Sequence, residues 1–115
     1  MDTTTETFDL DVIQRSHELP VVVDFWAAWC GPCRMLGPAI ETEVAKRGGK
    51  LELAKIHVDA EQALAAQYGI QSIPTVTVFR DGEPVTSFVG AQPAAAISRF
   101  LDQTIEQHGA AVAAA

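Results

Sequence analysis

The spacing of apolar positions changes several times along the chain, and each change marks an element. Phe8, Val12 and Ile13 are spaced as on one helical face, with Thr7 placed to cap that helix and Pro20 to end the segment. Residues 21–27 read VVVDFWA, a run of β-formers broken by one charge, as expected of a strand buried on both faces. Leu36, Ile40 and Val44 then step by four, which predicts a helix over 33–47, kinked at Pro38 and stopped by Gly48-Gly49. Residues 51–58 form the next strand. Asp59 and Gln62 have the spacing of a capping box for a short helix through Leu64 and Tyr68 to Gly69. Residues 75–80 and 84–89 read as two strands joined by an Asp81-Gly82 turn. Pro93 opens a last helix with Ile97, Phe100, Leu101 and Ile105 on one face.

These elements predict an α/β fold with a central mixed sheet of four to five strands and helices on both faces. Residues 21–58 make a βαβ unit, whose parallel crossover is expected to be right-handed. The whole of 1–115 reads as one domain, with a polar segment over 1–6, at best a short edge strand, and an Ala-rich, frayed tail over 107–115.

Composition narrows the function. The 115 residues carry a formal net charge of −7, which argues against a nucleic-acid partner, since phosphate binding needs surplus Lys and Arg. No apolar run approaches the ~18 residues of a membrane helix. Asp2, Glu6, Asp9 and Asp11 open the chain with no Lys or Arg before Arg15, unlike a secretory leader, so the expectation is a cytoplasmic protein.

The candidate chemistry lies in Cys30-Gly31-Pro32-Cys33, which holds both cysteines of the chain. A disulfide closing so short a loop removes little chain entropy, so the pair is better suited to chemistry than to stapling the fold. A zinc site would need about four ligands, and the second cysteine pair is missing. With Cys30 just before the helix, its sulfur faces unpaired N–H groups and the positive end of the dipole, which favours thiolate. Cys33, one turn in, is expected to be more covered and to keep its proton longer. Cys30 then attacks a substrate disulfide and Cys33 resolves the mixed disulfide. Gly31 allows close approach, and Pro32 presets the helical φ.

Neighbouring residues extend the site. Trp29 offers a flat apolar contact for a peptide, or packs under the loop. Asp24 alternates with Val22 and Trp26 and so points into a core layer, where desolvation raises its pKa. It is placed to accept the Cys33 proton, or else to pair with Lys55. Ile73-Pro74 opens a strand, and a cis bond there would expose backbone for pairing with an extended peptide.

The segments VVVDFWAAWCGPCR, AKIHVD, YGIQSIPTVTVF, the Asp-Gly hairpin and FVGA together resemble the thioredoxin family over residues 6–106. The resemblance implies the thioredoxin fold and a thiol–disulfide oxidoreductase that reduces protein disulfides, with no cofactor beyond the Cys30–Cys33 pair. It implies thioredoxin reductase as electron source, disulfide-containing client proteins and a monomer. It assigns Cys30 as nucleophile, Cys33 as resolving thiol, Asp24 as buried acid and Lys55 as its neighbour. It makes Pro74 cis and lines a substrate groove with Trp29, Gly31, Pro32, Ile73, Pro74 and Gly90. Two features depart from the family: Ser72 stands where Gly is usual, and DTTTETF lacks the apolar residues of a first strand. HELPVVVDFWA, LGPAIETEV and FVGAQP are also similar to the redox domain of chaperone-linked fusions. The alternative is therefore a redox-linked chaperone or client-binding domain cut from a larger protein.

Overall fold

The computed structural model describes residues 1–110. Four strands form one sheet in the order β2-β1-β3-β4, with β1 at Val21–Trp26, β2 at Glu52–His57, β3 at Thr75–Arg80 and β4 at Glu83–Val89. β1 runs parallel to β2 and antiparallel to β3, and β3 runs antiparallel to β4. Three α-helices accompany them: α1 at Gly31–Ala45, α2 at Gln62–Gln67 and α3 at Ala94–His108.

The period-two alternation of β1 explains the two-sided core. Val22 faces one layer together with Val76 and Val78, against Leu36 and Ile40 of α1 and Ile97 and Leu101 of α3. Val21, Val23 and Phe25 face the opposite layer with Ala54, Ile56 and Phe79, against Phe8, Val12 and Leu64. Phe8, Tyr68 and Phe79 close this second layer, with ring centroids 5.2–5.6 Å apart. Arg47, just past α1, ties that helix to α3. Its guanidinium donates to the Glu43 carbonyl at 2.7 Å, to the Ser98 hydroxyl at 2.8 Å and to Asp102 at 3.1 Å.

Several terminal features differ from the sequence pattern. The polar start makes one parallel bridge, Asp2 to Lys55, in place of a fifth strand, because Thr residues give no apolar face to bury. Thr7 does not cap the first helical segment. Its hydroxyl accepts from the Thr4 N–H at 2.9 Å, while Asp9–Gln14 winds as a π-helix followed by a 3₁₀ turn at Arg15–His17. The expected capping box is also absent. Glu61 is the N-cap of α2 and makes no side-chain cap, because its carboxylate accepts from Thr5 instead. The first long helix begins at Gly31, two residues before the expected start. At the other end, α3 continues to His108, into the segment expected to fray, and the His108 carbonyl accepts from Arg80 at 2.8 Å. The remainder of that tail, 111–115, lies outside the described residues. No helix among the described residues is long and apolar enough to cross a membrane.

Leu101 is fully buried where α3 meets the sheet. Leu101→Ala is expected to lower unfolding stability by about 3 kcal/mol in a denaturant titration, through lost transfer energy and the cavity left behind. The chemistry of the distant cysteine pair is expected to persist.

Candidate functional site

The CGPC segment sits where β1 ends and α1 begins, at the carboxyl end of a parallel strand. Cys30 is the N-cap of α1, in extended conformation, and Pro32 occupies the first helical turn where a missing N–H costs nothing. The Cys30 sulfur accepts from the Cys33 N–H at 3.2 Å, so one orphan donor of the helix end points at it. Cys30 and Cys33 form a disulfide across this turn. The difference between the two cysteines is one of hydrogen bonding rather than residue burial. Each cysteine is 4% exposed, against the expectation that Cys33 is the deeper.

Around the disulfide the surface is open, with several exposed apolar groups. Gly31 and Pro32 are exposed, Trp29 is 68% exposed, and Met35 on the next turn of α1 is 75% exposed. Trp29 therefore does not pack beneath the loop. Its indole N–H donates to the Asp59 carboxylate at 2.7 Å, which fixes the ring over the β2–α2 connection. The capping-box reading of Asp59 hid this role. An acidic residue just past a neighbouring parallel strand was the available signal.

The Ile73-Pro74 bond is cis, and Pro74 is buried at the start of β3. The Ile73 carbonyl lies 3.9 Å from the Cys30 sulfur. Gly90 has φ +90°, a value that L side chains resist, and its N–H donates to the Pro74 carbonyl at 2.8 Å. This bond holds the end of β4 beside the cis turn. Ser72, the departure from the family pattern, is exposed, and its carbonyl accepts from the Thr75 hydroxyl. Trp29, the CGPC turn, Ile73, Pro74 and Gly90 thus meet along one end of the sheet.

Asp24 lies in the layer beneath α1, fully buried, with no hydrogen-bond partner for either carboxylate oxygen. Burial pushes its pKa up to about 6. The Lys55 charge pulls the other way, and Glu41 adds to the rise. Lys55 is beside Asp24 in the register, yet its ion pair is with Glu41 of α1 at 3.4 Å, and its ammonium lies 5.2 Å from the Trp26 ring centre. The Asp24–Lys55 contact expected of a purely structural pair is therefore not made. Glu41 was invisible to sequence reasoning because only the α1–β2 packing brings it there.

The thioredoxin family model matches residues 1–103 of the chain. The chain is 48% identical over 96 residues to the thioredoxin of Streptomyces clavuligerus, covering 84% of this chain and 87% of the relative. It is 45% identical over 104 residues to the thioredoxin of Mycolicibacterium smegmatis, covering 89% and 91%. With thioredoxin 1 of a Nostoc species the identity is 42% over 105 residues, covering 91% and 92%.

The raised pKa of Asp24 makes stability pH-dependent. The folded protein holds the proton above the unfolded value of about 3.9, so stability is lost as pH climbs from there through about 6. The loss amounts to about 3 kcal/mol above that window. Asp24→Asn is therefore expected to stabilise the disulfide form by up to this amount at pH 8 and to change it little at pH 3.5. Paired denaturant melts decide; a variant no more stable at pH 8 would mean that the carboxylate is held by ion pairing.

Proposed function

Because this chain belongs to the thioredoxin family and is a thiol–disulfide oxidoreductase, we propose that it reduces protein disulfides with Cys30 attacking and Cys33 resolving. The observation that carries the role assignment is the Cys33 N–H directed at the Cys30 sulfur across the start of a 15-residue helix. In the dithiol form this donor and the helix dipole favour the Cys30 thiolate. That thiolate attacks one sulfur of a client disulfide. A Cys30–client bond forms, the client S–S bond breaks, and the released client thiolate takes a proton from water. The Cys33 thiol then gives its proton to the Asp24 carboxylate and attacks the Cys30 sulfur. The mixed disulfide breaks, the second client thiolate leaves and is protonated, and the protein holds the Cys30–Cys33 disulfide. Two electrons have passed to the client. The placement of Asp24 on the α1 side of the sheet, without a direct ion-pair partner, supports its part as proton acceptor, with Lys55 modulating its charge.

The client is a polypeptide. The cysteine pair lies beside the exposed apolar side chains of Trp29 and Met35, which suits an extended chain more than an enclosed small molecule. The half-buried Ile73 offers backbone beside Cys30 for such a chain, flanked by Pro74 and Gly90, while Gly31 and Pro32 let it approach. Electrons are returned by a thioredoxin reductase, and the working form is a cytoplasmic monomer that needs no added cofactor. The alternative, a client-holding domain with incidental thiols, is not favoured, since the relatives are thioredoxins and the cysteine pair is oxidised across a helix start.

Insulin reduction driven by thioredoxin reductase and NADPH tests this reading. Cys30→Ser is expected to abolish turnover. Cys33→Ser is expected to accumulate client adducts that dithiothreitol releases. Adducts on Cys30→Ser and none on Cys33→Ser would reverse the two roles.

A further inference from the structure

Lys55 is the strand partner of Asp24, yet its ammonium is held elsewhere. The two residues are opposite each other in the β1–β2 register, and their side chains share the sheet face that α1 covers. Both Asp24 carboxylate oxygens are buried without a hydrogen-bond partner. The Lys55 nitrogen lies instead 3.4 Å from the Glu41 carboxylate of α1 and 5.2 Å from the centre of the Trp26 ring. It also rests beside the backbone of Gly37, where an added Cβ would stand 3.5 Å from it. Cys33, Gly37 and Glu41 are spaced by four along α1. One stripe of that helix thus carries a redox cysteine, a stretch of bare backbone and the carboxylate that takes the ammonium.

We propose that Glu41 is a positioning residue of the redox site, which anchors the Lys55 ammonium on α1 and so leaves Asp24 without a direct ion pair. The proposal rests on Asp24 being the acceptor of the Cys33 proton. A carboxylate locked to an ammonium is a weaker base, because the pair favours its charged form. With Lys55 drawn to Glu41, the ammonium acts on Asp24 only through space, and the Glu41 charge opposes it. The Asp24 pKa of about 6 agrees, since burial outweighs Lys55 there and Glu41 adds to the rise. The other ionisable groups on the surrounding elements are few. His57 follows on β2, Arg34 on α1 is exposed, and Glu43 on α1 is engaged by Lys46 and Arg47. β3 sets Val76 opposite Asp24, with Arg80 at its far end on the His108 carbonyl, and α3 meets this layer through Ile97 and Leu101.

Glu41→Gln keeps the shape of the side chain and releases Lys55. The Asp24 titration is followed by carboxyl carbon NMR in the disulfide form, with Asp24→Asn identifying the resonance. The expected result is a fall of the Asp24 midpoint by about one unit, from the approach of the freed ammonium together with the loss of a like charge. Lys55→Met removes the ammonium and keeps an apolar stem. In that background Glu41→Gln is expected to lower the midpoint by less than about half as much, since only the like-charge effect is left. A midpoint within about 0.2 unit of wild type in Glu41→Gln, or a fall of equal size in both backgrounds, would overturn the proposal, because Glu41 then does not act through Lys55. The acid limb of insulin reduction, measured with reductase in excess, is expected to move to lower pH in Glu41→Gln along with the Asp24 midpoint. If Asp24→Asn leaves that limb unchanged, it is the acceptor role of Asp24 that fails. If Asp24→Asn removes the limb and Glu41→Gln leaves it in place, only the role of Glu41 fails.

Discussion

The site depends on one ionisable side chain carried through an otherwise apolar strand. Asp24 occupies a β1 position whose neighbours on the same and opposite faces are valines and aromatics, and neither of its carboxylate oxygens has a partner. Such a group stays charged only at a cost, which a better-packed apolar residue would avoid. The fold tolerates this because the remainder of both layers is densely apolar. Placing a carboxyl with a pKa of about 6 on the sheet face beneath α1 couples the stability of the fold to the protonation of that carboxyl.

The reactive end is built from backbone as much as from side chains. One helix start supplies an N–H to Cys30, one cis turn brings the Ile73 carbonyl beside it, and one positive-φ glycine locks the adjacent strand to that turn. Each is a main-chain feature held by a short sequence device: a cysteine at the N-cap, a proline opening a strand, a glycine closing one. Few side chains then need placing, and the rim around the sulfurs stays free for a polypeptide.

How much of this was legible in the sequence follows from the range of the interactions involved. The sheet, its helices and the CGPC junction were readable because alternation, helical spacing and Gly or Pro punctuation are local signals. Asp24 stood out because a charge inside VVVDFWA has no local explanation. The misreadings came where a polar residue had a choice of partners. Asp59 and Gln62 have capping-box spacing, yet Asp59 is taken by Trp29, thirty residues away, and Glu61 is taken by Thr5. Lys55 was rightly read as the neighbour of Asp24, which follows from strand pairing, while its ion pair with Glu41 is decided by α1 and was out of reach of the sequence. Relative cover of the two cysteines was misjudged because both sit in one cluster with Ala27, against which Trp26, Val58 and Ile73 pack.

The single bridge made by the first residues has a consequence for self-association. A sheet ends in two rows of unpaired amides, each able to template a foreign strand. On the β4 side, Glu83 and Pro84 blunt that row with a charge and a missing donor, and a register shift opposite them in β3 twists it. On the β2 side ELAKIH carries only the charges of Glu52 and Lys55, with no proline and no register shift, and protection falls to Met1 and Thr3, whose main chains occupy the Lys55 N–H and carbonyl at 2.7 and 2.8 Å. Three polar-flanked residues, Met1 and Asp2 exposed and Thr3 buried, thus act as a stopper on the open margin of the sheet, and displacing them would bare a strand edge to other chains.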